Sequence, residues 1–174
     1  MRSEEFLPGY SYKTMQTKIG PLTLYSVDEK LVKIAFAGGV DERSIKLLSR
    51  YFGDLKAKET SSVLGEAEKQ IIEFLSGLRK NFDLPLDLRC TEFQRGVYKF
   101  LPTIPYGETR SYADVAAAIG NSKACRAVGG ANNKNPLPIV IPCHRVNAKS
   151  GELVGYAGGI EIKRILQGIE ASIL

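Results

Sequence analysis

Between Gly20 and Phe36 the chain alternates apolar with polar or amphipathic positions, and Asp28-Glu29-Lys30 breaks the alternation in the middle. A period of two on either side of a polar turn predicts a hairpin, with strands at 20–27 and 31–36. Gly38-Gly39 ends the second strand. Asp41 can then cap a helix carrying Ile45, Leu48 and Phe52 on one face. The spacing predicts a second helix over about 63–78, with Leu64, Ala67, Ile71, Leu75 and Leu78 inward. Phe82, Leu84, Leu86 and Leu88 alternate again and predict another strand. No chemistry is visible in this half, which reads as a small α/β scaffold.

After Arg89 the pattern shifts to helices and loops. Thr91 can cap a helix whose Phe93, Val97 and Leu101 recur at i, i+4 and i+8. Pro102 and Pro105 close it, and Tyr106-Gly107-Glu108-Thr109 forms a turn. Ser111-Tyr112-Ala113-Asp114 has capping-box spacing, with Asp in the acidic place, and opens a helix through Val115, Ala118 and Ile119 to Gly120. Ser122 can cap a further helix from Lys123 to about Asn132. Two short helices joined this way are a helix-turn-helix candidate, although ordinary helical proteins contain such pairs too. The patterning therefore implies an α/β protein of two domains, an N-terminal scaffold at 1–88 and a mainly helical unit at 89–174.

Composition adds the setting. The 174 residues are 44 % apolar and 25 % charged, values of a soluble globular protein. No apolar run approaches the roughly 20 residues that cross a bilayer. Met1-Arg2-Ser3-Glu4-Glu5 is not followed by the apolar core of a signal peptide. The three cysteines show no paired spacing, so a reducing cytoplasm is the expected setting and a disulfide framework is not. Cys90, Cys125, Cys143 and His144 form no metal-binding unit, so a zinc site is not expected.

Charge changes the picture more. Residues 1–88 hold 13 basic and 13 acidic side chains, while residues 89–174 hold 11 Lys and Arg against 6 Asp and Glu. The whole excess of +5 lies in the second half. That asymmetry points to a polyanion, nucleic acid first. The helix expected from Lys123 reads Lys-Ala-Cys-Arg-Ala-Val-Gly-Gly-Ala-Asn. Base-specific reading needs several long donors on one face, and this helix offers Arg126 among alanines and glycines. Two adjacent glycines each cost about 1 kcal/mol of helix propensity. Either they pack tightly against a neighbouring helix, or they leave a smooth surface for a groove read by shape, with Arg126 intruding. The second alternative suits a protein that searches any sequence for a rare damaged base.

Residues 138–146, Pro-Ile-Val-Ile-Pro-Cys-His-Arg-Val, hold the strongest chemical candidates. Pro142 suits the first position of a helical turn, where free N–H groups favour a thiolate at Cys143. His144, the sole histidine, adds a proton acceptor and Arg145 a positive charge. Adjacent residues reach each other only in a turn or through a water, and no separated Cys/His dyad is possible. Downstream, Gly155-Tyr156-Ala157-Gly158-Gly159 is a glycine-rich loop with an aromatic in it, ahead of an amphipathic helix that ends at Glu170. Glu170 is either an ordinary exposed acid or, folded back, the group that orients His144.

These segments resemble the 6-O-alkylguanine-DNA alkyltransferases, also called methylated-DNA–protein-cysteine methyltransferases. The resemblance rests on Asn135 through Val146, on Arg126-Ala-Val-Gly-Gly-Ala131, on 104–112, on 155–159 and on Glu170, and covers most of 91–170. It implies a ribonuclease H-like α/β N-terminal domain and a winged-helix-like C-terminal domain whose helix-turn-helix enters the minor groove of duplex DNA. It implies Cys143 as alkyl acceptor, His144 as its base through a water, Glu170 as orienter, Asn135 as brace, and Tyr112 as the group that helps extrude the nucleotide. Tyr156, Ala157, Gly158 and Gly159, with Val146 and Arg145, would form the substrate pocket. Arg126, which fills the vacated stack, would meet DNA with Tyr112, Ala113, Gln94, Asn121 and Lys149. The implied reaction is a single irreversible transfer from 6-O-alkylguanine, and from 4-O-alkylthymine, by a monomer needing no cofactor. Ala157 stands where some members have Ser, and Asn132 where some have an apolar residue beside the extruded base. The four-Cys cluster of the zinc domain fused to some relatives does not occur among the three cysteines, so that domain is not expected. The rivals are a lesion binder, which would lack the reactive cysteine, and a helix-turn-helix regulator, which the Ala/Gly-rich helix suits poorly.

Overall fold

The structure is a computed structural model that describes residues 9–53, 56–57 and 61–172. The Met1–Glu5 stretch lies outside the described residues. The chain forms two units, one of the described residues up to Gln70 with Asp83–Arg89, the other of Ile71–Phe82 with the described residues from Cys90.

The first unit contains β1 (Gly9–Thr17), β2 (Gly20–Val27), β3 (Lys30–Ala35), α1 (Glu42–Phe52), β4 (Lys56–Ala57) and the start of α2 (Ser62–Leu75). The sheet order is β3-β2-β1-β4, antiparallel except that β4 runs parallel to β1. The expected hairpin is β2–β3. Asp28 and Glu29 carry its turn at φ values of 47° and 58°, both positive as a tight hairpin turn requires. Asp41 caps α1 by accepting from the Ser44 N–H at 2.8 Å, a bond worth about 1 kcal/mol. Tyr25, Val27, Val32 and Leu48 form a core cluster against which Tyr10, Ile45 and Phe52 pack.

Two expectations fail here, and one strand was not foreseen. β1 was not expected, because its alternation is inverted: Ser11 is buried while Tyr12 is exposed. Residues 82–88 form no strand beyond a single bridge between Leu31 and Leu86. Pro85 has no N–H to give, and the Gln70 side chain takes both the N–H and the carbonyl of Asp83. Leu78 is 81 % exposed, because α2 ends at Leu75. Gly77, at φ 77°, closes a Schellman turn in which the Leu78 N–H reaches the Glu73 carbonyl.

The second unit contains α3 (Glu92–Phe100), β5 (Arg110–Ser111), α4 (Tyr112–Ala118), α5 (Cys125–Asn133), β6 (Val146–Asn147) and α6 (Ile160–Ala171). Both expected caps form: Ser111 with Asp114 as the expected capping box, and Thr91, expected only as a cap, as a second full box with Gln94. Ser122 caps nothing: α5 starts two residues later than expected, at an Ala124 position without a side-chain cap. The short parallel pair β5–β6 matters most for function. It joins the start of α4, and so Tyr112, to the residues directly after Arg145. The α/β class holds, as a small sheet unit followed by a mainly helical one. Among the described residues no helix is long and apolar enough to cross a membrane.

Candidate active site

Cys143, His144 and Arg145 form one 3-10 turn, with Pro142 just before it rather than inside it. The chain reaches this turn through a tight loop in which the Ile141 N–H bonds the Leu137 carbonyl at 2.8 Å. Ile139 at the loop's tip is buried and sits at φ 77°, a left-handed conformation unusual for a β-branched residue. Asn135 holds the loop from inside. Its Nδ2 donates to the Ile141 carbonyl at 2.8 Å and to Cys143 Sγ at 3.1 Å, and its Oδ1 accepts from the Leu137 N–H at 3.0 Å.

Around the thiol the electrostatics differ from expectation. Burial pushes the Cys143 pKa up to about 11, against the Asn135 hydrogen bond and the Lys163 charge. At pH 7 such a thiol is ionised to on the order of one part in ten thousand. Burial thus outweighs what the turn's backbone, Asn135 and Lys163 offer a thiolate, and the resting thiol keeps its proton.

His144 is fully buried, and its Nε2 lies 2.9 Å from Glu170 Oε1. Glu170 is ionised: burial alone would raise its pKa, but bonds from His144 and Arg145 outweigh that and hold it at about 2. A carboxylate can only accept, so the imidazole proton sits on Nε2 and Nδ1 carries the free lone pair. Nδ1 is buried with no hydrogen-bond partner among the described residues. Burial lowers the His144 pKa, Glu170 opposes this, and the net direction is down. The resting imidazole is therefore neutral, with its basic nitrogen unused.

Arg145 turns toward the carboxylate. Its Nε and Nη2 donate to Glu170, the latter at 2.9 Å, and its Nη1 donates to the Ile104 carbonyl at 2.7 Å. The Gly107 N–H completes the cradle at 2.9 Å from Glu170 Oε2, in a turn that places Gly107 at φ 81°. So Glu170, on α6, folds back rather than standing exposed.

Two supporting side chains escaped the sequence reading. Lys163 is 0 % exposed, and its Nζ donates to the Val146 carbonyl at 2.6 Å and the Val154 carbonyl at 3.0 Å. It ties the stretch after the reactive turn to the loop at 155–159. Gln167 Nε2 donates to the His144 carbonyl at 2.6 Å and to Asn147 Oδ1 at 2.9 Å. The available signal was spacing: Lys163, Leu166 and Glu170 share one face of α6, and two opposite charges on an apolar face mark a buried polar site.

Tyr112 Oη donates to the Val154 carbonyl at 3.1 Å, and burial followed by the charge of Cys143 raises its pKa. The same two causes raise Tyr156, which is buried. Both phenols thus feel the thiol.

Two family models match the chain. One, "6-O-methylguanine DNA methyltransferase, ribonuclease-like domain", matches residues 10–88, and the other, "6-O-methylguanine DNA methyltransferase, DNA binding domain", matches 92–172. The constitutive methylated-DNA–protein-cysteine methyltransferase of Bacillus subtilis is 44 % identical, over 91 % of this chain and 94 % of that protein. The chain belongs to the 6-O-methylguanine DNA methyltransferase family. The crystal structure of the Mycobacterium tuberculosis O6-methylguanine methyltransferase superposes with a TM-score of 0.81 at 41 % identity, covering 95 % of this chain and 94 % of that one. A structure of the M. tuberculosis protein in complex with DNA gives 0.80 at 40 % identity, covering 94 % of each chain.

Apart from Tyr112, the residues expected at DNA do not join the thiol network. Arg126, Asn121 and Lys149 are exposed. Ala113 is half-buried in the first turn of α4, and the Gln94 side chain accepts from the Thr91 N–H in the α3 cap. Ala157 and Gly159 are exposed, Gly158 is half-buried and Val146 is buried. On α5, a Cβ at Gly130 would meet nothing within 4 Å, and one at Gly129 would meet only the Tyr112 ring, at 3.8 Å. Packing requires neither glycine.

Proposed function

We propose that this chain repairs alkylated guanine in duplex DNA by moving the alkyl group, once and irreversibly, onto Cys143. The observation that carries the proposal is the buried Glu170–His144 pair, which leaves one imidazole nitrogen bare in the residue next to an un-ionised thiol. Residues 89–174 bind the DNA, and 1–88 serve as scaffold. The small-residue surface of α5 enters the minor groove without selecting a sequence, and the basic balance of this half supplies affinity. Duplex stacking hides the alkyl carbon, so the damaged nucleotide leaves the stack at a cost of a few kcal/mol. Arg126 takes its place.

Inside the pocket, Tyr156 and the loop through Gly159 flank the base. The thiol proton passes through a water to His144 Nδ1, and Glu170, itself held by Arg145, keeps the imidazolium that results in place. Cys143 Sγ attacks the alkyl carbon in line, the carbon–oxygen bond breaks, and its electron pair stays on the position-6 oxygen of guanine. The leaving base takes a proton from Tyr112, which solvent then restores. The product is a thioether, and no group in the site can cleave it, so each molecule acts once. 4-O-alkylthymine presents the same alkyl–oxygen bond and is a second substrate. The protein works as a cytoplasmic monomer without a cofactor.

Incubation with a duplex carrying one 6-O-methylguanine tests this. The intact protein should gain one methyl group in place of a hydrogen, and Cys143→Ala should gain none. An unchanged wild-type mass would leave a lesion binder or a regulator as the better description.

A further inference from the structure

The His144 ring makes one hydrogen bond, from Nε2 to Glu170, while Nδ1 has no partner among the described residues. One hydrogen bond holds a single atom and leaves the ring plane free to tilt, because acceptance at an sp² oxygen tolerates a broad range of directions. A general base needs its lone pair aimed, so something else must fix that plane. Phe74 does so. Its ring packs edge-on against the imidazole, with centroids 6.1 Å apart and planes at 61°, a separation and tilt at which aromatic pairs attract. Phe74 is fully buried, and Phe82 backs it with centroids 5.3 Å apart. Phe74 also meets the Tyr106 ring edge-on, at 6.1 Å and 81°. The Arg145 guanidinium, which donates to Glu170, lies 5.7 Å from the centre of that ring. Phe74 thus touches one arm of the Glu170 network directly and the other through one ring.

This residue lies in the last turn of α2, inside the stretch matched by the ribonuclease-like family model. Yet Ile71–Phe82 belong to the compact unit that carries the thiol. The turn at Gly77 reverses the chain after α2 and returns Phe82 to Phe74. The charged groups that act on the imidazole are Glu170 and Lys163 from α6 and Arg145 from its own turn. The 71–82 stretch adds Glu73 and Arg79, paired with each other at 2.7 Å, and Lys80 over the Tyr106 ring. Burial is the first cause that lowers the His144 pKa, and Phe74 supplies part of that burial. We propose that Phe74 is a positioning residue for alkyl transfer, which fixes the plane of the His144 imidazole against Glu170 and keeps bulk water from the ring. The stretch 71–82 is then part of the catalytic unit and not only scaffold. The proposal rests on alkyl transfer to Cys143.

His144 is the sole histidine, so NMR of the full chain with isotope-labelled histidine reads its protonation and tautomer without any substrate. In Phe74→Ala water enters beside the ring while Glu170 still favours the charged form. The titration of His144 should therefore move to higher pH than in wild type, and the Nε2–H tautomer should lose its dominance. Transfer from free 6-O-benzylguanine should then be about fourfold slower at pH 6 than at pH 7.5 in the variant, as a base with the ordinary histidine pKa of about 6.5 requires. Wild type should show a shallower dependence. Phe74→Leu keeps more apolar volume, so it should fold if the alanine variant does not, and should move the titration the same way by less. Phe74→Tyr keeps the ring and should restore the wild-type titration. Leu48→Ala opens a cavity in the core cluster of the first unit; it should lower the melting temperature and leave His144 unmoved. An unmoved imidazole in both Phe74→Ala and Phe74→Leu, or an equal movement in Leu48→Ala, would overturn the assignment. A wild-type protein that takes no alkyl group from the free base or from a 6-O-methylguanine duplex would overturn the alkyl-transfer proposal, while the titration would still decide whether Phe74 holds the ring.

Discussion

Replacing Glu170 by Gln changes a single atom of the side chain and removes the charge on which His144 and Arg145 converge. The carboxylate is 1 % exposed and accepts from the imidazole, the guanidinium and the Gly107 N–H. Its pKa falls from 4.5 to about 2. Those two and a half pH units correspond to about 3 kcal/mol of stability at neutral pH. Removing one partner of a buried ion pair independently suggests about 3–5 kcal/mol, since the Arg145 charge stays behind. Because the folded pKa is depressed, the contribution is complete above the unfolded value of 4.5 and is lost as pH falls toward 2. Urea unfolding of wild type and Glu170→Gln at pH 7 should therefore differ by about 3 kcal/mol, and the gap should shrink to under half at pH 3. A gap below about 1 kcal/mol at pH 7, or one that does not change with pH, would refute the reasoning. Methyl transfer should fall by about 10²-fold or more in the same variant, because the imidazolium loses its counter-charge.

Other consequences concern the thiol and the DNA. Wild-type transfer should be nearly flat from pH 7 to 9, since neutral His144 is already the base over that range. In His144→Gln the residual rate should climb about tenfold per pH unit as the thiol, with a pKa of about 11, ionises unaided; a flat variant profile would contradict this. Lys163→Met should raise the Cys143 pKa further, because the Lys163 charge lowers it, and should free the loop at Val154. Transfer to duplex should drop about tenfold, a change of about 1.4 kcal/mol, and thiol titration with an alkylating reagent checks the pKa. Arg126→Ala should slow repair in duplex far more than reaction with free 6-O-benzylguanine, which needs no extrusion; equal losses would mark Arg126 as a packing residue.

What the sequence made legible was local. Asp41, Thr91 and Ser111 cap helices through bonds that span three residues, so their spacing alone reveals them. The hairpin was legible for the same reason. β1 was not, because Ser11 faces inward and Tyr12 outward, and the position of that strand is settled by its neighbours in the sheet. The alternation at 82–88 misled because Gln70, thirteen residues before Asp83, takes both backbone groups of Asp83, and pairing with β3 is confined to the bonds of Pro85 and Asp87 with Leu31. At the site, motif residues were legible, and so was the chance that Glu170 folds back. The protonation of Cys143 was not, because burial decides it. Lys163 passed as one of several charges on an amphipathic helix until the fold placed it, wholly buried, between two carbonyls.

The most direct test of alkyl transfer is peptide mapping after exposure to a tenfold excess of duplex carrying 6-O-methylguanine. One methyl per molecule, on the peptide containing Cys143 and absent from those containing Cys90 and Cys125, is the expected result. Methyl on another residue, several methyls per chain, or a return of free thiol while the DNA is still being repaired would contradict a single irreversible transfer to Cys143.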